Sequence, residues 1–299
     1  MHVIVHGGAG GKPDEPEPRQ AVLDEAATAG TRAKTPLDAV EAAVKVLESS
    51  ARFNAGVGGA IQSDSVVRTD AGIMTSDRSA GAACSMPGVE HAVSVARTVL
   101  EETPHVLVSG EHAVALAESF GVETGVDLRT ERTREKWAEE DAPVEASPDV
   151  QLEWLRKRFG RTDPDGREGG VGDEHDHDTV GAVARAGDSV AAATSTGGRW
   201  LALAGRVGDV PQIGSGFYCN PAGGASTTGA GEDIARVTLS RRAVRHLERG
   251  ADASEAAERA IEEFGELTGS SAGIIVLDGR GNAGSAYNSE GMQTATAIR

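Results

Sequence analysis

The chain of 299 residues carries 46 acidic against 29 basic side chains, a formal charge of −17, and 39% of its residues are hydrophobic. At about 150 residues per domain this is one large or two modest folded units, long enough to bury a sizeable core. A surface so negative repels nucleic acid and anionic lipid, which argues against both as partners.

Lysine occurs only at Lys12, Lys34, Lys45, Lys136 and Lys157, and excess carboxylate with scarce lysine suits solubility at high salt, where screening relieves self-repulsion. No basic stretch or cleavage-like site accompanies the short apolar run at Met1 to Gly11. No apolar run approaches the roughly 18 residues of a membrane span. Two cysteines, Cys84 and Cys219, cannot make a disulfide framework. Together these features predict a soluble, cytoplasmic protein.

The first segment, His2 to His6, reads as a buried strand entering the turn Gly7-Gly8-Ala9-Gly10-Gly11. A glycine turn after a strand invites a phosphate cradle, but no phosphate-loop spacing follows, and Pro13 to Pro18 does not start a helix cleanly. Amphipathic helices are predicted at Arg19 to Gly30 and Leu37 to Ser49, the second with Val40, Ala43, Val44 and Leu47 on one face. A loop at Phe53-Asn54-Ala55-Gly56 precedes predicted strands at Ser65 to Met74 and Ser79 to Ser85. Helical periodicity returns at His91 to Glu101 and Glu111 to Phe120.

From Val122 to His177 charge rises and apolar residues thin out, apart from a predicted helix at Val150 to Phe159; the stretch 161–178 reads as an acidic linker. Strand patterns resume at Thr179 to Ala186 and Ser189 to Thr194. A glycine-punctuated region runs to Gly231, then helices at Glu232 to Glu248 and Ala253 to Leu267, then strands at Ala272 to Leu277, Ala283 to Tyr287 and Met292 to Ala297. Blocks of strands flanked by helix pairs, without strict βαβ alternation, predict a layered α+β sandwich rather than a doubly wound sheet.

The linker passes without a turn residue into a strand whose first residue is Thr179. A self-cleaving precursor needs such a junction, because a cut before Thr179 leaves one residue holding both a hydroxyl nucleophile and an α-amine base. The same junction also reads as a linker entering a strand, with threonine there for its β propensity.

Around it lie His177-Asp178-Thr179-Val180-Gly181, Thr194-Ser195-Thr196-Gly197-Gly198, Gly205-Arg206-Val207-Gly208-Asp209 and Thr227-Thr228-Gly229-Ala230-Gly231-Glu232. In the first half stand Val5-His6-Gly7-Gly8-Ala9-Gly10, Phe53-Asn54-Ala55-Gly56, Ser79-Ala80-Gly81-Ala82 and Thr103-Pro104-His105. In this order they resemble the plant-type asparaginase and isoaspartyl peptidase family of N-terminal nucleophile hydrolases, over nearly the whole chain.

The resemblance implies one four-layer αββα sandwich over 1–299, cut between Asp178 and Thr179 into an α chain, 1–178, and a β chain, 179–299. Thr179 matches the nucleophile and Thr196 the second threonine beside it; Thr228 and Gly229 match the oxyanion hole. Arg206 and Asp209 match the groups that hold the substrate's α-carboxylate and α-ammonium, and Gly231 and Asn54 match further substrate contacts. The implied substrates are L-asparagine and β-aspartyl dipeptides, with no catalytic cofactor. A structural sodium ion is implied on the backbone loop carrying Leu47, Glu48, Ser50, Phe53, Ala55 and Val57, as is a dimer of cleaved αβ protomers. Bland readings stand beside these. Thr196 also fits a turn hydroxyl, Arg206 with Asp209 a surface ion pair, Gly229 to Glu232 a helix start, and Asn54 a turn residue.

His177-Asp178 before the threonine, where many such asparaginases have glycine, is similar to glycosylasparaginases; the remaining motifs side with asparaginase. A third reading makes Asp173-Glu174-His175-Asp176-His177-Asp178 the metal-binding stretch of a non-catalytic module.

Overall fold

The computed structural model describes residues 1–159 and 179–299. The acidic linker at 161–178, with Asp178 and the His/Asp run, lies outside the described residues.

The first half contains β1 (His2–Gly10), α1 (Pro16–Thr31), α2 (Pro36–Glu48), β2 (Arg68–Thr75), β3 (Ala80–Pro87), α3 (Ala92–Glu102), β4 (Leu107–Ser109), α4 (Gly110–Ser119), α5 (Glu131–Ala138) and α6 (Pro148–Phe159). The second contains β5 (Val180–Ala186), β6 (Ser189–Thr196), β7 (Phe217–Asn220), β8 (Gly223–Gly229), α7 (Gly231–Val237), α8 (Leu239–Glu248), α9 (Ala253–Thr268), β9 (Ala272–Asp278), β10 (Ala283–Tyr287) and β11 (Gly291–Ile298).

The strands form a seven-stranded sheet, β11-β1-β5-β6-β2-β3-β4, and a four-stranded sheet, β10-β9-β8-β7. Among the described strands only β3 and β4 pair with each other in parallel, joined through α3. Helices α1, α2 and α3 pack on the larger sheet and α8 and α9 on the smaller, while β5, β6 and β2 meet β8 and β7 across the space between the sheets. The result is a mixed α+β fold, as the strand and helix blocks predict.

Local chemistry explains the well-read elements. Thr35 caps α2 by accepting the Asp38 N–H, Pro36 opens it, and Ala39, Val40, Ala43, Val44 and Leu47 form its buried stripe. Asp252 caps α9 through the Glu255 N–H, and Gly269 ends it at φ 68°.

Four differences from the sequence reading have physical causes. Strands β7 and β8 run through the region read as glycine loops, because glycine serves close sheet packing on both sides of the contact: a Cβ on Gly224 of β8 would lie 2.9 Å from Val183, and one on Gly72 of the facing β2 would lie 1.9 Å from the Phe217 ring of β7. The single helix expected over 232–248 is two, α7 and α8, broken where Thr238 turns left-handed at φ 54°. Helix α5 lay hidden because only Thr133 in it is buried; it is held by reciprocal Thr130 and Thr133 caps instead of an apolar face. Thr179 stands just before β5 rather than as its first residue.

Candidate active site

The antiparallel register of β5 with β6 sets Val180 opposite Ser195, so Thr179 arrives beside Thr196 at the end of β6. Their hydroxyls are 3.2 Å apart, with Thr179 donating to Thr196. Thr196 Oγ1 also accepts the Gly198 N–H at 3.1 Å and reaches the Asn54 carbonyl at 3.5 Å. Gly229, closing β8 on the other sheet, completes a pocket that Thr179 and Thr196 share with Arg206, Asp209, Gly231 and Glu232. Its open volume is about 20 Å³, room for little more than one water.

Six of the eight expected catalytic and substrate-binding residues therefore line one pocket: Thr179, Thr196, Gly229, Arg206, Asp209 and Gly231. Thr228 stands one residue behind it, fully buried, its hydroxyl accepting the Ala9 N–H at 3.4 Å. Asn54 braces the neighbouring loops: its amide donates to the Gly198 carbonyl at 2.6 Å and accepts the Ala60 N–H at 2.8 Å. Its own carbonyl takes the Gly197 N–H at 2.8 Å.

The bland reading of Arg206 with Asp209 as a surface ion pair does not hold, because Arg206 pairs with Glu232. The Nε and Nη2 of Arg206 each donate to Glu232 at 2.7 Å, a bidentate fork. Burial works against the guanidinium, yet Glu232, helped by Asp209 and Asp70, holds its pKa above the ordinary value. For Glu232, burial is outweighed by Arg206 and by the nearby charge of Arg199, and its pKa sits at about 2.

Asp209 is buried, and its Oδ2 has no hydrogen-bond partner among the described residues. Burial pushes its pKa up to about 7, against the pull of Arg206. Asp70, opposite Thr196 in the β2–β6 ladder, is likewise raised to about 7 by burial, opposed by the Ser85 N–H and by Arg206. Arg206 thus lines the pocket with two carboxylates, Asp209 and Glu232, while Asp70 acts on it by charge from outside the lining, a set that suits a ligand bearing both an anionic and a cationic group.

Sequence reasoning missed Glu232 as a partner, Asp70 altogether, and the polar chain behind the nucleophile. His6 Nε2 lies 2.8 Å from Ser226 Oγ, which is 2.6 Å from Thr194 Oγ1, which donates to the Gly216 carbonyl. Burial drives His6 down to about 3 despite a hydrogen bond with the Thr179 backbone, so its imidazole is neutral. A Cβ on Gly181 would lie 1.9 Å from Ser226 Oγ and 2.6 Å from His6 Nε2, which reserves this position for glycine. A histidine inside a buried strand, beside a glycine-rich turn, was the available signal. Both cysteines are buried and free, and burial raises Cys84 to about 12, so neither competes as a nucleophile.

On the loop expected to carry sodium, the Glu48 carbonyl accepts the Val57 N–H at 2.8 Å, Leu47 that of Ser50 at 3.2 Å, and Ser50 that of Phe53 at 3.3 Å. A Cβ on Gly56 would lie 2.3 Å from the Glu48 carbonyl oxygen, and one on Gly58 3.0 Å from that of Phe53. Each carbonyl has a second lone pair, so this set of neutral oxygens fits a hard cation. The Glu48 side chain instead anchors the loop to the site. It accepts Ser195 Oγ at 2.6 Å and the Val93 N–H at 3.0 Å. Among the described residues no cluster of three or more His, Cys, Asp or Glu side chains forms a metal site, and no helix is long and apolar enough to cross a membrane.

Comparison with known proteins agrees with this geometry. A plant-type L-asparaginase of Pyrococcus abyssi is 42% identical over 98% of this chain and 95% of its own length. One from Thermococcus kodakarensis is 40% identical over 98% and 95%. An isoaspartyl peptidase/L-asparaginase of Bos taurus is 36% identical over 99% and 92%. The asparaginase family model matches residues 1–299, and the chain belongs to that family of hydrolases.

Proposed function

We propose that the chain is a threonine-nucleophile amidohydrolase that converts L-asparagine to L-aspartate and ammonia and cleaves β-aspartyl dipeptides. The observation that carries this reading is Thr179 hydrogen-bonded to Thr196 in one pocket with Arg206, Asp209 and Gly229.

Cleavage between Asp178 and Thr179 frees the Thr179 α-amine, which takes the proton of its own hydroxyl. Oγ1 then attacks the side-chain amide carbon. The oxyanion that forms is met by the Thr228 hydroxyl and the Gly229 N–H. Collapse breaks the C–N bond, the amine returns its proton to the leaving nitrogen, and a β-aspartyl ester on Thr179 remains. Water, deprotonated by the same amine, hydrolyses the ester and regenerates the hydroxyl. Arg206 holds the substrate's α-carboxylate and Asp209 its α-ammonium, while Thr196 orients the nucleophile.

The reading carries further proposals: a four-layer αββα arrangement, supported by helices on the outer faces of two sheets in contact; a sodium ion on the loop of Leu47, Glu48, Ser50, Phe53, Ala55 and Val57; assembly as a dimer of cleaved protomers; and a cytoplasmic setting. Denaturing electrophoresis with amino-terminal sequencing, alongside ammonia release from asparagine, tests the core of it. Two fragments are expected, the smaller beginning at Thr179. Active protein consisting only of uncut chain would overturn the mechanism.

A further inference from the structure

Arg206 stands on the connection between β6 and β7, a stretch without helix or strand to fix its backbone. A buried loop must place its N–H and C=O groups on other partners, and those partners decide where its side chains project. Glu232 holds the guanidinium, at the far end of the side chain. A different set of residues, on the segment before β2, holds its root.

The loop runs alongside Ile61, Gln62 and Ser63. The Leu201 N–H donates to the Ile61 carbonyl and the Ser63 N–H to the Ala202 carbonyl, both at 2.8 Å. Ser63 Oγ accepts the Ala204 N–H at 3.0 Å and donates to Gln151 of α6 at 2.7 Å. Gln62 takes the next two positions. Its Oε1 accepts the Gly205 N–H at 2.9 Å, and its Nε2 donates to the Arg206 carbonyl at 3.3 Å. Gly205 bends the chain at φ 81°, a conformation glycine takes freely, so the two bonds clamp both sides of a permissive point in the backbone.

The clamp is itself preset. Gln62 is buried, and Arg68 Nη1 donates to the same Oε1 at 2.8 Å. Because a guanidinium carries only donors, the carboxamide must turn its oxygen toward Arg68 and its NH2 toward the Arg206 carbonyl. Asp64 fixes Arg68 in turn through bonds of 3.0 and 2.7 Å. Gln62 stands outside the lining of the Thr179 pocket, so its route to a bound substrate runs through Arg206.

We infer that Gln62 is a positioning residue for Arg206: by clamping the Gly205–Arg206 backbone it sets where the guanidinium meets the substrate's α-carboxylate, and so carries part of the selectivity for substrates in which that carboxylate is free. The inference rests on the proposed amidohydrolase activity and deepens its account of substrate binding.

The test compares asparagine with L-asparaginamide, in which the α-carboxylate is an amide, in the parent enzyme and in Gln62→Met, which keeps the side chain's length and loses both bonds. KM for asparagine should rise about five- to thirtyfold while kcat stays within about threefold of the parent, and the preference for asparagine over asparaginamide in kcat/KM should fall by a similar factor. Gln62→Glu keeps the acceptor for Gly205 and Arg68 and loses the donor to Arg206. It should fall between the two, and it carries the same reading if Gln62→Met does not fold. In either variant, a kcat/KM that is unchanged, or lowered equally for both substrates, overturns the positioning role and leaves the amidohydrolase reading intact. A parent that releases no ammonia from asparagine overturns the activity on which that role rests.

Discussion

Arg206 gives one edge of its guanidinium to Glu232 through two 2.7 Å bonds, from Nε and Nη2. The group is wedged between Gly208 and Gly231, where added Cβ atoms would each lie 2.9 Å from its nitrogens. Two of the five guanidinium N–H donors are thereby spent on positioning, and the Nη1/Nη2 edge remains for a substrate carboxylate. Glu232→Gln keeps the shape and removes the charge that aims this edge. It should lower kcat/KM for asparagine about ten- to a hundredfold, mainly in KM. Unchanged steady-state kinetics in this variant would show that Arg206 is aimed by its glycine walls alone.

Gly231→Ala tests the same packing from the other side. Its Cβ would sit 2.8 Å from Asp209 Oδ1 and 2.9 Å from Arg206 Nη2, displacing both groups proposed to hold the substrate's charges. KM for asparagine should rise at least about tenfold, since misplacement by even 1 Å is costly. Wild-type affinity, read by steady-state kinetics, would place the substrate elsewhere.

Thr179→Ala should leave an uncut, inactive polypeptide with near-normal thermal stability, because among the described residues the side chain's hydrogen bond is the 3.2 Å contact to the Thr196 hydroxyl. Ammonia release at the parental rate would remove Thr179 from the chemistry.

Asp209 predicts a pH dependence. Burial raises its pKa to about 7, and only the carboxylate pairs with a substrate ammonium, so kcat/KM for asparagine should climb as pH rises through about 7. Stability runs the opposite way. A carboxyl raised in the folded state binds more protons there than when unfolded; its contribution is complete below the ordinary value of 3.8 and is lost as pH rises through about 7. Asp70 acts in the same sense. A flat kcat/KM profile between about pH 5.5 and 8 would show that Asp209 is not the ammonium's partner.

Asn54→Ala should destabilise the fold by about 2 to 4 kcal/mol, because it leaves the buried Ala60 N–H and Gly198 carbonyl without their partners. Urea unfolding measures this directly. A loss well under 1 kcal/mol would mean that water replaces both bonds.

Much of the site was legible in the chain because its residues travel in short motifs whose chemistry is local. Thr179 at the end of a linker, Thr196 before two glycines, and Arg206 three positions from Asp209 each announce a role, and a resemblance running in order through both halves united them. Elements with an apolar period, such as α2 and α9, were equally readable. Strands β7 and β8 were not, since a glycine in a strand gives no periodic signal and is needed only because another sheet presses against it.

By itself the sequence determined the family, the nucleophile candidate and the placement of the strongly amphipathic helices, all of which depend on residues close together in the chain. Tertiary structure alone decided that Arg206 pairs with Glu232, 26 positions away, that Asp209 is left buried with a raised pKa, and that Asn54 braces the loop beside Thr196. Those outcomes follow from desolvation and from which donors arrive first at a shared acceptor. Both depend on the distances set when two sheets close on one another.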